Sequence, residues 1–181
     1  MRDLIRQLRE DWGRHKASAS VRSMPALVNY RVGRWVKEQP LPVRWAGGKV
    51  YGVGLLVAEM MSGIHLDRDT QVGEGFHMIH AGGINIHPDT VIGDRVGIMH
   101  GVTLATGPGG RPAVIGDDVF IGANACVLGA EVGAGARVAA NSLVLNDVPP
   151  GAMAIGVPAK NVPQLGAKGA KKAKPAAADS T

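Results

Sequence analysis

The stretch Val91-Ile92-Gly93-Asp94-Arg95-Val96-Gly97-Ile98-Met99-His100-Gly101-Val102-Thr103-Leu104 decides the fold. Ile92, Ile98 and Leu104 recur every six residues, with Val96 and Val102 four residues after a beat. Upstream the same beat falls at Val72, Met78 and Ile84 and restarts at Ile86. Downstream it runs through Ile115, Ile121 and Val127, then Val132, Val138 and Val144. Many beats are followed at once by glycine, as in Val72-Gly73, Ile92-Gly93, Ile115-Gly116 and Ile121-Gly122. An aliphatic hexapeptide repeat of this kind indicates a parallel β-helix, a solenoid of stacked coils.

The repeat breaks in three places. Two extra residues enter between Ile84 and Ile86, the step from Val127 to Val132 is one residue short, and a Gly/Pro-rich segment from Ala105 to Ala113 is extruded between Leu104 and Ile115. In known hexapeptide folds three hexads close one triangular coil of about 18 residues, and coils stack at about 4.8 Å. An excursion from a regular solenoid is a preferred place for function.

Before the repeat, Leu4, Ile5, Leu8 and Trp12 recur at helical spacing, and a second helix is expected from Pro25 to Lys37, stopped by Gln39-Pro40-Leu41-Pro42. A third, about Val43 to Met61, is apolar on both faces and is expected to bury itself against the solenoid, another subunit or a membrane. The organisation read from the chain is therefore an N-terminal α-helical segment at 1–61, a β-helix at 62–162 and a low-complexity basic tail, expected to be disordered, at 163–181.

The net charge of +5 over 181 residues is unevenly placed. Residues 1–50 carry eleven Lys/Arg and four Asp/Glu (+7), residues 51–159 four and ten (−6), and residues 160–181 five and one (+4). A basic N-terminal segment beside an acidic solenoid points to peripheral contact with an anionic membrane surface, or to nothing more than solvated helix faces. No nucleic-acid partner is expected. The N-terminus shows no secretory h-region, and the apolar run Val50–Met61 contains Glu59 and is too short to span a bilayer. The expected location is cytoplasmic, at the inner face of the membrane. The lone Cys126 excludes an internal disulfide and reads as a packing residue.

The residues that could carry chemistry are histidines. His80 and His100 each lie two residues after a beat, and they are twenty residues apart, one coil plus the two-residue insertion. They should therefore stack in successive coils. Stacked imidazoles disfavour one another's protonation, and a neutral imidazole can take the proton of an attacking alcohol. Read singly, each is a surface histidine of no consequence; the stacked register beside both insertions is what sets the catalytic reading level with that one. A metal site is a third reading, but no Cys cluster or spaced Asp/His motif accompanies them, and no metal is expected.

Met78-Ile79-His80-Ala81-Gly82-Gly83-Ile84, Ile92-Gly93-Asp94 and His100-Gly101-Val102-Thr103-Leu104 together resemble the serine acetyltransferase family of left-handed β-helix enzymes. So do Ile121-Gly122-Ala123-Asn124-Ala125 and the closing Pro149-Pro150-Gly151 through Gly156-Val157-Pro158-Ala159-Lys160. The resemblance covers about residues 62–162. Leu8-Arg9-Glu10-Asp11-Trp12 and Tyr30-Arg31 resemble the subgroup of polysaccharide gene clusters that includes colanic acid acetyltransferase.

The resemblance implies a homotrimer, acetyl-CoA as donor, active sites in the grooves between subunits, and His80 as the base that frees the acceptor hydroxyl to attack the thioester. It implies Ala123 and Ala140 along the pantetheine, Lys160 at the CoA phosphates, and Ala105 and Gly107 as further cofactor positions. His65 and Arg111 fall at substrate positions, and Asp67 or His100 is left to orient His80.

Three departures bear on the acceptor. Ile79 stands where serine acetyltransferases have Asp before the catalytic histidine, His65 where they have a carboxylate, and Gly110-Arg111 where they have Arg-His before Pro112. A free amino acid needs counter-charges, and most of that set is missing here, so the expected acceptor is a sugar hydroxyl of a polysaccharide or its lipid-linked precursor. Serine acetylation for cysteine synthesis is the alternative within enzymes, and a non-catalytic binding solenoid the alternative outside them.

Overall fold

The computed structural model describes residues 2–16 and 20–164. Three helices come first: α1 (Arg2–His15), α2 (Met24–Lys37) and α3 (Leu41–Ser62), with a short 3-10 turn at Ser20–Ser23. Pro40 closes the approach to α3, and Gly63, left-handed at φ 63°, ends it by donating its N–H to the Glu59 carbonyl.

From β1 (Ile64–Leu66) onward the chain is the expected left-handed parallel β-helix of about five coils. Its strands form three faces. The first stacks β1, β4 (Ile84–Ile86), β7 (Thr103–Ala105), β10 (Cys126–Leu128) and β13 (Leu143–Val144). The second stacks β2 (Gln71–Val72), β5 (Val91–Ile92), β8 (Val114–Ile115) and β11 (Glu131–Val132). The third stacks β3 (His77–Met78), β6 (Gly97–Ile98), β9 (Phe120–Ile121), β12 (Arg137–Val138) and β14 (Ala152–Gly156), which β15 (Ala159–Pro163) closes as an antiparallel hairpin.

The six-residue beat is the core. Leu66, Ile86, Leu104, Val127 and Val144 pair in register down the first face, and Met78, Ile98, Ile121, Val138 and Ala154 down the third. All ten are buried. The glycines after the beats sit where coils touch: a Cβ on Gly73 would lie 2.6 Å from the Gly93 carbonyl carbon, and one on Gly122 2.6 Å from the Ala140 nitrogen. The corner carboxylates add a polar ladder, with Asp94 Oδ1 accepting from the Glu74 N–H and Asp117 Oδ1 from the Asp94 N–H.

The first coil has no coil before it, so its backbone groups on that side need other partners. Side chains of α1 and α2 supply them. Arg31 donates to the carbonyls of Val72 and Gly73 at 3.0 and 2.6 Å, Tyr30 Oη donates to the Thr70 carbonyl and accepts from the Val72 N–H, and Ser23 Oγ donates to the Met78 carbonyl. His15 Nε2 accepts from the Met78 N–H while its Nδ1 faces the Asp11 carbonyl. Arg31 is fixed by a buried ion pair to Asp11 at 2.9 Å. Asp11, Tyr30 and Arg31 are therefore spent on capping the solenoid.

α3 does not bury its apolar residues against the coils: Trp45, Val50, Val53 and Met60 are 67%, 72%, 64% and 87% exposed. With α1 and α2 the helix borders an apolar groove of about 990 Å³ lined by Trp12, Met24, Val28, Val50 and Val53 among others. At the other end β15 is ordered to Pro163, and the basic tail from 165 on lies outside the described residues.

Replacing Arg31 by Met leaves Asp11 buried without a counter-ion, a change that costs about 3–5 kcal/mol. Urea denaturation should show that loss, and the double variant Arg31→Met/Asp11→Leu should recover part of it. A single variant as stable as the parent contradicts the capping role.

Candidate active site

The third face ends at a corner that the chain turns before re-entering the first face. Because Met78, Ile98, Ile121 and Val138 are in register, the residues two positions later form one column: His80, His100, Ala123 and Ala140. The hydrogen bonds of the corner hold that column, with the Gly101 N–H donating to the Gly82 carbonyl, Asn124 to His100 and Asn141 to Ala123. The His80 and His100 ring centroids lie 5.8 Å apart, planes inclined by 59°, and both side chains face solvent. The column thus carries two imidazoles at one end and two methyl groups below them along one corner of the prism. It continues to Gly156, the partner of Ala159 in the closing hairpin, and so to Lys160. Lys160 is exposed and makes no ion pair among the described residues.

The two-residue insertion shapes the head of the column. Ala81-Gly82-Gly83 follows His80 where Gly101 alone follows His100 before the strand resumes, with Gly82 and Gly83 at φ 109° and 67°. The end of α3 packs under this bend, so a Cβ on Gly63 would sit 3.2 Å from the Gly82 Cα. Between the two lies a cleft of about 250 Å³ bounded by Glu59, Gly63, Ile64, His65, Gly83, Ile84 and Asn85. In it His65 Nδ1 pairs with Glu59 Oε1.

Other expected site residues lie elsewhere. Asp67 sits at the far end of β1, where its Oδ1 accepts from the Asp69 N–H, and it has no hydrogen bond to His80. Ala105 is the last residue of β7, in register with Leu128, and Gly107 and Arg111 belong to the excursion that follows it before β8, at the next corner of the prism. Gly107 rests on Gly129, with a Cβ there 2.9 Å from the Gly129 Cα, and its N–H donates to the Arg111 carbonyl. Arg111 is paired to Asp147 of the fifth coil at 2.9 Å, and that carboxylate raises its guanidinium pKa above the ordinary value. Within one chain these three residues do not meet His80; they could share its site only across a subunit boundary.

Cys126 points outward from β10, half-buried, and burial raises its thiol pKa, as suits a packing residue. Among the described residues no group of three or more His, Cys, Asp or Glu is placed to hold a metal ion.

Glu59, Asn85 and a second histidine pair were not singled out in the sequence. Glu59 was legible only as the charge that interrupts an apolar helix; the signal that it belongs to the site is the Gly63 stop, which folds the last turn of α3 back toward His65. His77 and His15 stack edge-to-face at 4.7 Å behind the column. Burial holds the His77 pKa down to about 4, with the charges of His15, Arg14 and His80 acting in the same direction; His15 is lowered too, first by burial.

Comparison with known proteins places this geometry in a family. Residues 112–146 match the hexapeptide repeat of succinyl-transferase. The chain is 43% identical over 141 residues to serine acetyltransferase 4 of Arabidopsis thaliana, covering 75% of this chain and 38% of that one. It is 42% identical over 110 residues to serine acetyltransferase of Helicobacter pylori (strain J99), covering 59% and 64%. The chain thus spans less than two thirds of the length of these relatives.

Among solved structures, serine acetyltransferase of Brucella abortus strain S19 superposes with a TM-score of 0.74 at 25% identity over 89% of this chain and 68% of that one. Soybean serine acetyltransferase complexed with serine gives 0.64 at 32% over 76% and 57%, and a serine acetyltransferase complex with CoA 0.68 at 29% over 86% and 66%. The chain belongs to the hexapeptide-repeat acyltransferase family, with serine acetyltransferases as its homologues.

Two expectations are corrected by these findings. The colanic-acid subgroup is not supported, and the residues that suggested it, Asp11, Tyr30 and Arg31, cap the first coil. The reading as a polysaccharide O-acetyltransferase is overturned, since the relatives and structural neighbours are serine acetyltransferases. Ile79, His65 and Gly110-Arg111 lack the counter-charges expected at those positions, whereas the fold brings a carboxylate to His65 from α3.

The buried histidines give a signed pH dependence. His77 is held near 4 in the folded state and returns to about 6.5 on unfolding, so the unfolded chain binds the extra proton between those values. Stability should be complete above about pH 6.5 and fall as pH drops toward about 4. The melting temperature should decline across that window, and less steeply in His77→Gln; a flat profile contradicts the assignment.

Proposed function

We propose that this chain is an acetyl-CoA-dependent serine O-acetyltransferase, of the step that prepares serine for cysteine synthesis. The observation that carries the reading is the corner column, in which stacked His80 and His100 head a groove of small side chains in a chain whose homologues are serine acetyltransferases.

The groove suits the donor. Ala123, Ala140 and Gly156 leave room along the corner for a pantetheine chain, and Lys160 offers an uncommitted cation to phosphate. Acetyl-CoA supplies the acetyl group as an activated thioester. His80 takes the proton of the acceptor hydroxyl as that oxygen attacks, holds it on the imidazole, and gives it to the departing thiol. His100, stacked on it, positions the ring.

A homotrimer belongs to the same proposal. The end of β7 at Ala105 and the excursion carrying Gly107 and Arg111 stand one corner away from His80, so a second copy of the chain is needed to set them against the groove. The setting at the membrane's inner face is proposed on a separate observation: the exposed apolar residues of α3 include Trp45, with Lys49 Nζ 4.0 Å over its ring, in a segment 1–50 of charge +7, eleven Lys/Arg against four Asp/Glu. No helix among the described residues is long and apolar enough to cross a membrane. Flotation with liposomes should depend on anionic lipid; flotation indifferent to it removes the membrane proposal.

Incubation with acetyl-CoA and L-serine should release free CoA in a serine-dependent manner. His80→Ala should lower turnover by at least ~100-fold with the fold intact, and His100→Gln should act more mildly. Absence of serine-dependent release overturns the acceptor, and full activity of His80→Ala overturns the base.

A further inference from the structure

The cleft that follows the His80 bend holds a carboxylate delivered from a helix. Glu59 reaches it from the last turn of α3, where the Gly63 stop presses the helix end against Gly82 and Gly83. One carboxylate oxygen, Oε1, is engaged by His65 Nδ1, and the other has no hydrogen bond among the described residues. Glu59 is only about one third exposed, 31%, and His65 44%. In the same cleft stands Asn85, the register partner of His65 in the next coil, whose side chain has no hydrogen bond among the described residues. The volume of about 250 Å³ lies below the ~300–1,000 Å³ of sites for drug-sized ligands and suits a small acceptor.

We propose that this cleft is the acceptor's recognition site, in which Glu59 binds the α-ammonium of the amino acid, His65 holds the Glu59 carboxylate in place, and the Asn85 amide meets the acceptor's carboxylate. The proposal rests on the serine reading above. A carboxylate held at one oxygen by an imidazole presents its second oxygen in one direction, which is what a compact ammonium group requires. His65, which as a strand residue looks like the loss of a carboxylate, becomes the residue that anchors one delivered from the helix. The bend Ala81-Gly82-Gly83 joins this cleft to His80, so an acceptor held there by its α-substituents would offer its side-chain hydroxyl toward the imidazole.

The test uses the full chain, acetyl-CoA, and two acceptors, L-serine and 3-hydroxypropanoate, which lacks the ammonium. Glu59→Gln should raise the KM for serine about 10- to 100-fold while leaving the KM for acetyl-CoA within about twofold. It should also abolish the wild-type preference for serine over 3-hydroxypropanoate. His65→Asn, which frees the carboxylate without removing it, should shift the serine KM in the same direction by less, with circular dichroism reporting the fold of both. Serine turnover in the wild type with an unchanged serine KM in Glu59→Gln overturns the recognition site and leaves the function standing. No turnover of serine by the wild type overturns the function and the site together.

Discussion

The parallel hydrogen-bond register of the third face is the constraint on which the rest depends. Each coil adds its residues at fixed offsets from a buried aliphatic, so aligning Met78 with Ile98, Ile121 and Val138 also aligns whatever stands two residues on. A slip of one residue would put the beat residues on the surface and the corner residues in the core. The column of His80, His100, Ala123 and Ala140 is held by the same ladder that holds the core together. Site geometry and fold stability are here one interaction, which is why a chain built from strands two or three residues long can present a defined groove.

A solenoid needs its ends closed. At the first coil the closure comes from polar side chains of α1 and α2, with Arg31 locked by the buried Asp11 and reaching two backbone carbonyls, Tyr30 bridging Thr70 and Val72, and Ser23 and His15 sharing the Met78 peptide. This cap lies beside the strand that leads into His80. The helical segment also contributes to the site through the last turn of α3, which forms one wall of the cleft. Its outer face, with Trp45, Val50 and Met60 exposed, has the composition of a contact surface.

The beat makes the coils legible, and counting through its breaks is enough to set His80 beside His100 in successive coils, where the ring centroids lie 5.8 Å apart. The three helices were legible within a few residues from their apolar spacing and their prolines. The acceptor was not. A comparison of matched positions counts only the charge at those positions and misses charge that the fold brings in from another element. Glu59 lies six residues before His65 on a different element, and only the left-handed stop at Gly63 makes them neighbours. Asp67, near His65 in sequence, is turned away by the opposite logic: its carboxylate closes the local turn at Asp69. Likewise Asp11 and Arg31 looked like a subgroup signature and are a buried ion pair, since a motif does not say whether it serves an end cap or a substrate.

The most direct measurement of the central claim is a crystal structure of this chain soaked with CoA. The column predicts the thiol end against His80 and His100, the pantetheine along Ala123 and Ala140, and the phosphates near Lys160. Density for CoA with its thiol away from His80, or with its chain off the Ala123–Ala140 corner, would contradict it.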